Sequence, residues 1–284
     1  MAPPSNVSLV ERLKSLAQTL QFAWFVGHVT LLGSVSRYFL SYVTFNYYSN
    51  AAQVSYRLAF ISAAVTYGIV VYKGHVARGR LQGSLPSIVL KLAGDENVQY
   101  LGMAIVWLYS RQVPLALLPF CVYSIFHVAT YTRAHLLPTL QPASVPAGSP
   151  ASPSGARGAA KQSPLAETIG KFVKQYYDAS MDLVAGLEIA LLFRLAVALL
   201  TFSKGSFVLL FVYLTFFRAR FSQSSFVQQG VRHFTARVDA SVSHQSTPPA
   251  VRQGWEGFKD AVRQAYQATD VSRFAPGAGA KKPQ

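Results

Sequence analysis

Six apolar stretches constrain this chain more than any other feature: Leu16 to Val35, Leu58 to Tyr72, Val98 to Ser110, Val113 to Tyr131, Leu183 to Phe202 and Ser206 to Phe217. A helix needs about 20 predominantly apolar residues to cross a hydrocarbon core about 30 Å thick. The first, fourth and fifth stretches meet that length. The other three rise only about 20 Å at about 1.5 Å per residue, so they must thin the bilayer, borrow amphipathic flanks or turn back within it. A lone stretch of this kind fits a buried helix of a soluble protein. Six of them in a chain with 51% hydrophobic and 13% charged residues do not. The expected fold is an all-α integral membrane protein with four to six membrane helices arranged as hairpins, followed by C-terminal amphipathic helices.

The hairpins are set by short connections. Arg111-Gln112 alone separates the third stretch from the fourth, and Ser203-Lys204-Gly205 separates the fifth from the sixth. One side of the resulting arrangement carries Arg37, Arg111 and Lys204, and the other receives Arg12, Lys14, Lys73, Arg78, Arg80, Lys91, Arg133, Arg157, Lys161, Lys171 and Lys174. Basic residues concentrate on the cytosolic side of membrane proteins, so both termini are expected in the cytosol. Arg57 falls on the disfavoured side. The polar start and a first apolar run without an Ala-x-Ala site predict an uncleaved signal anchor rather than a cleaved signal peptide. Tyr38-Phe39, Phe45 to Tyr48, Tyr72, Tyr100 and Tyr131 lie near the proposed boundaries, where amphipathic rings favour the headgroup zone.

Composition shifts to Pro, Ala, Ser and Gly between Pro138 and Pro164. Such a segment buries too little apolar surface to order itself. The expected organisation is N-terminal membrane hairpins over 1–137, a disordered cytosolic linker over 138–165, a C-terminal membrane hairpin over 166–222 and a basic cytosolic tail over 223–284.

Lys+Arg total 26 against Asp+Glu 11, for a net charge of +15. Nucleic acid would reward clustered Lys and Arg, but here they are dispersed among apolar runs. Anionic lipid headgroups therefore account for the basic balance, and nucleic acid is not an expected partner. Cys121 is the sole cysteine, which excludes an intrachain disulfide and a cysteine-built zinc site.

Four polar groups interrupt apolar runs: His28, His127, Glu188 and Arg194. Ionisable residues at membrane depth are expensive and often functional. Glu188 and Arg194 are six residues apart on one segment, which sets them about 120° from a common helix face, so each is expected to find a partner on a neighbouring helix or to snorkel. Around His127, Glu188 and Arg194 a small transporter or channel is the alternative reading, and a membrane enzyme using the same His and Glu residues is a third. The chain carries no His-x-x-x-His, His-Glu-x-x-His, Gly-x-Ser-x-Gly or Gly-x-x-x-x-Gly-Lys pattern. Catalytic residues, metal and cofactors are accordingly not expected.

The tail offers two further signals. Val227, Val231, Phe234 and Val238 recur at helical steps, with Arg232 and Arg237 between them. A stronger stripe follows, of Val251, Trp255, Phe258, Val262, Ala265 and Tyr266, flanked by Arg252, Lys259 and Arg263. That pattern describes a helix lying in a membrane interface, with a protein-docking helix as the other reading. Lys281-Lys282-Pro283-Gln284 matches the dilysine pattern that retrieves membrane proteins to the endoplasmic reticulum. Asn6-Val7-Ser8 fits a glycosylation acceptor, which a cytosolic N-terminus would leave silent.

Pro119 to Thr132, Leu187 to Leu192 and Val212 to Phe221 resemble the transmembrane protein 33 family, whose fungal members are pore-membrane proteins of the nuclear envelope. The resemblance covers roughly residues 10 to 245 and is most specific over His127 to Thr132. It implies residence in the endoplasmic reticulum and nuclear envelope. It also implies association with reticulon-type curvature proteins and nuclear pore components, and a role in tubule shape or pore organisation. It supplies no catalytic residues.

Overall fold

Most of the helices begin at a side chain that caps them. In the computed structural model, which describes residues 8–140 and 163–269, every regular element is helical. The chain order is α1 (Leu9–Ala17), α2 (Leu20–Val43), α3 (Asn50–Val71), α4 (Leu85–Ala93), α5 (Glu96–Tyr109), α6 (Leu117–Tyr131), α7 (Leu137–Leu140), α8 (Pro164–Leu200), α9 (Ser206–Gln223), α10 (Ser225–Val242) and α11 (Pro249–Ala268). Ser8 and Glu11 form a reciprocal capping box on α1. Thr19, Ser49, Asp95, Ser163 and Ser224 accept hydrogen bonds from the first N–H groups of α2, α3, α5, α8 and α10. Each satisfies a donor the helix cannot bond internally.

Among the described residues, three helical segments are long and apolar enough to cross a membrane: Asn50–Val76, Pro114–Leu140 and Pro164–Leu200. The six apolar stretches of the sequence fall mainly in α2, α3, α5, α6, α8 and α9, and several of these helices outrun their stretch. α2 runs to Val43 rather than Val35, and α8 starts at Pro164, well before Leu183. With 37 residues, α8 spans about 56 Å at about 1.5 Å per residue, nearly twice a hydrocarbon core of about 30 Å. Its first half carries exposed Phe172, Tyr176 and Tyr177 beside Lys171 and Lys174. α4, with Leu85, Val89 and Leu90 exposed, lies where no apolar stretch marked a helix.

Two compact units are present, Met1–Ala219 and Arg220–Gln284. In the first, α2 packs antiparallel on α3. Tyr38, late in α2, meets Tyr56, early in α3, with ring centroids 5.3 Å apart. Towards the other end Gly27 lies against Thr66, so closely that a Cβ on Gly27 would come within 2.5 Å of the threonine methyl. Ala52, Ser55, Ala59, Ser62, Ala63 and Thr66 are all buried along α3. Small residues of this kind let helix backbones approach in a bilayer, where apolar side chains gain nothing by leaving lipid.

α5 runs antiparallel to α3, and hydrogen bonds at both ends fix the pair. Asp95, the cap of α5, meets His75 just beyond α3 at 2.7 Å. At the opposite end the Arg57 guanidinium donates to the carbonyls of Trp107 and Leu108 in the last turn of α5. A cation there satisfies orphan carbonyls and complements the helix dipole, which explains a charge that the distribution of Lys and Arg left out of place. Tyr56 accepts from the Val113 N–H at 3.0 Å and Tyr38 donates to Gln112 at 3.2 Å, tying down the connection into α6.

An aromatic layer joins the helices inside. Tyr100 stacks on Tyr67 at 5.4 Å and meets Phe120 and Phe216 edge-on at 5.6 and 5.4 Å. α6 packs on α2 and α8, and Phe126 stacks on Phe172.

Burial pushes the Asp95 carboxyl up, but hydrogen bonds from His75, Asn97 and Val98 outweigh it and hold it below the usual carboxylate range. A depressed folded value contributes stability above the unfolded value of about 3.9, which is lost as pH falls through the folded one. The α3–α5 clasp therefore persists throughout the neutral range.

Candidate functional site

In the unit Arg220–Gln284, the stripe read from the tail occupies one face of α11, as its periodicity requires. It does not act as one surface. Val251, Phe258 and Val262 are about half exposed, at 51%, 57% and 51%. Trp255 instead turns to α10, where its indole N–H donates to Asp239 Oδ1 at 2.6 Å. Lys259 reaches the same oxygen at 3.0 Å and Glu256 at 2.9 Å. Tyr266 meets Phe221 edge-on at 5.6 Å. Trp255 also stacks on Phe258 at 5.5 Å, so the clasp orients the exposed ring.

The hydrogen bonds from Trp255 and Lys259 hold the Asp239 carboxyl below its usual range, and Glu256 and Asp239 together push Lys259 up. By the same linkage, the clasp is intact at neutral pH and weakens when acid protonates Asp239 or alkali deprotonates Lys259. Arg252 donates to the His244 carbonyl at 2.9 Å and Arg263 pairs with Asp260 at 3.1 Å. Both basic side chains stay at the surface flanking the apolar face.

Glu188, His127 and Arg194 are not brought together. Glu188 is 1% exposed, and its carboxylate accepts the Tyr100 hydroxyl. The Tyr123 hydroxyl lies 3.2 Å from that of Tyr100, and Tyr213 donates to the Glu188 carbonyl at 2.8 Å. This cluster ties α5, α6, α8 and α9 together. His127 belongs to a separate group, 4.7 Å from His28 and 4.9 Å from Trp24 between ring centroids. There His28 Nδ1 lies 2.9 Å from Ser124 Oγ. Arg194 is exposed, six residues before the end of α8, close enough for a long side chain to snorkel.

Sequence reading missed Asp239 and Tyr213, and it set Tyr100 in the headgroup zone, whereas that ring is buried in the aromatic layer between helices. Asp239 is the one acidic residue of α10, a signal that it had a specific partner. The dilysine residues Lys281 and Lys282, the acceptor Asn6 and most of the Pro/Ala/Ser-rich segment lie outside the described residues.

Long apolar helices with buried polar clusters, followed by an amphipathic helix with an exposed apolar face, define a polytopic helical membrane protein. The chain belongs to the Transmembrane protein 33/Nucleoporin POM33 family, whose profile matches residues 2–267. It is 50% identical to Nucleoporin POM33 of Chaetomium thermophilum over 288 residues, covering 99% of both chains. Tetra-spanning protein 1 of Schizosaccharomyces pombe is 31% identical over 92% of this chain and 90% of its own. The Pore membrane protein of 33 kDa of Saccharomyces cerevisiae is 30% identical over 90% and 87%. No solved structure matches.

Proposed function

We propose that this chain is a non-enzymatic membrane-organising scaffold of the endoplasmic reticulum and nuclear envelope, which stabilises curved membrane and supports tubule structure and nuclear pore organisation. The observation that carries the reading is α11, whose Val251, Phe258 and Val262 stay exposed beside Arg252 and Arg263. An interfacial helix with that face inserts into one leaflet and expands it. Relatives named for the nuclear pore and its membrane support the location, and nuclear pore components and reticulon-type proteins are the proposed partners.

The antiparallel contacts gather the start of α2, the end of α3, the start of α5, the end of α6 and the start of α8 at one end of the first unit. Lys14, Lys73, Arg80, Lys91, Arg133 and Lys171 lie there, which favours that end and both termini as cytosolic. The name of the fission-yeast relative favours four full spans. α2, α3, α6 and α8 have the length for those, and the shorter α5, which leaves the cytosolic end where α3 finishes and reaches the opposite end where α6 begins, completes the passage as a short crossing, with α9 doing the same after α8. Lys281 and Lys282 add a retrieval signal.

The reading is tested in reconstituted liposomes. The full chain at high density should draw spherical liposomes into narrower or tubular ones, and deletion of residues 249–268 should leave them wide. Unchanged liposome shape with the full chain would refute the scaffold. Sidedness is read in sealed microsomes, where added protease should cut within residues 141–162. Protection of that segment, or glycan on Asn6, would reverse the topology.

A further inference from the structure

α3 and α6 end alike. Each continues into a single π-helical turn, Tyr72–Val76 after α3 and Thr132–Leu136 after α6. Such turns are uncommon and are often kept at functional sites, because the inserted residue re-aims the side chains around it. The two carry matching residues, Lys73-Gly74-His75-Val76 and Arg133-Ala134-His135-Leu136. Lys73 from the first turn and His135 from the second line one cleft of about 290 Å3, closed on its third side by α2.

The cleft is built from donors and apolar surface. Besides Lys73 and His135, its wall includes Trp24, His127, Tyr131 and Ile69, and no carboxylate lines it. Deeper in the wall, the Tyr131 hydroxyl is buried beside the Thr19 hydroxyl. The latter donates to the Leu16 carbonyl at 2.7 Å. Lys73 and His135 reach the cleft from positions at least partly open to solvent, where both can donate to one anionic group. Below the cleft, the exposed side chains of Leu58, Ile61 and Val65 form a stripe along α3 that leads to Ile69.

We propose that this cleft holds the headgroup of one anionic phospholipid. Lys73 and His135 hydrogen-bond its phosphate, Trp24 and Tyr131 pack on its glycerol region, and an acyl chain follows the α3 stripe. Basic pockets between membrane helices take anionic headgroups in this manner. The apolar track favours a lipid over a free phosphate, for which a stripe running down a membrane-crossing helix has no use. The proposal does not depend on α11 or on curvature.

The test uses the full chain, purified in a mild nonionic detergent, with bound lipid read by native mass spectrometry. Offered equal phosphatidylinositol and phosphatidylcholine, the chain should retain one phosphatidylinositol about tenfold in preference. Lys73→Gln with His135→Gln should abolish the preference, and Lys91→Gln, which removes an exposed lysine bonded to the Arg80 carbonyl, should leave it. An unchanged melting temperature separates loss of the site from loss of the fold. Should the double variant melt early, Lys73→Glu alone, at a half-exposed position, must still remove the preference. Equal retention of both lipids by the unaltered chain, or a preference that survives these substitutions, would overturn the proposal. So would displacement of the lipid by millimolar inorganic phosphate, which would mark a free-anion site.

Discussion

A peptide covering residues 249–269 will be largely unfolded in dilute buffer and helical on small anionic vesicles, and Phe258→Glu with Val262→Glu will abolish that binding. A helix of about this length is marginal alone in water, so its order must come from burying Val251, Trp255, Phe258 and Val262. Each large apolar side chain transferred contributes about 1.5 to 3 kcal/mol. Losing two therefore weakens partitioning by more than about a hundredfold, at about 1.4 kcal/mol per tenfold. Replacing Arg252, Lys259 and Arg263 with Gln removes about 1 kcal/mol each on anionic lipid and little on neutral lipid. In the longer segment 220–269 the clasp changes the ranking. Trp255 is held there by Asp239, so Trp255→Ala should cost less vesicle binding than Phe258→Ala, whereas in the short peptide the two should be comparable. A short peptide that shows no helix by circular dichroism on anionic vesicles would remove the membrane from the account of α11 and leave a protein partner.

That ranking was not legible in the sequence. Periodicity places Trp255 and Phe258 on one face because both follow the helix repeat, but Asp239 lies sixteen residues away across a turn, and nothing local to α11 announces it. The same division runs through the first unit. Apolar run length located α2, α3, α5, α6, α8 and α9 because it is a local property. The polar first half of α8 escaped, since a helix outside hydrocarbon carries no apolar run. Ser163 before Pro164 was its available signal, a capping residue followed by proline at the first turn.

Glu188 and His127 stood out as polar groups in apolar runs, and the structure gives each a distant partner. Glu188 takes the hydroxyl of Tyr100, 88 residues earlier. His127 faces His28 on another helix. Contacts across such separations are set by how helices pack, which a single sequence does not encode position by position. Arg57 shows the converse. Its charge conflicted with the expected sidedness, and the conflict dissolves once the guanidinium is seen to cap α5. A charge rule counts residues by loop, whereas the folded chain uses this one inside the bundle.

Gly27→Ala should destabilise the full chain by about 1 to 3 kcal/mol, the range for forcing an added methyl into a packed site, and Thr66→Ser should restore most of the loss. The new Cβ would lie 2.5 Å from the Thr66 Cγ2 and 3.8 Å from the Ser62 carbonyl. The methyl is therefore the obstacle and the backbone is not. Thr66 is fully buried, and its hydroxyl donates to the Ala63 carbonyl at 2.9 Å. Serine keeps that bond and removes the methyl, whereas Thr66→Val keeps the bulk and should give no rescue. Helix association in a bilayer depends on close approach rather than on expelling water, so the cost should appear as loosened packing of α2 on α3 with helix content retained. The measurement is thermal unfolding of the four chains in detergent: unaltered, each single substitution, and the pair. A coupling between positions 27 and 66 close to zero would show that the two helices do not meet at this point.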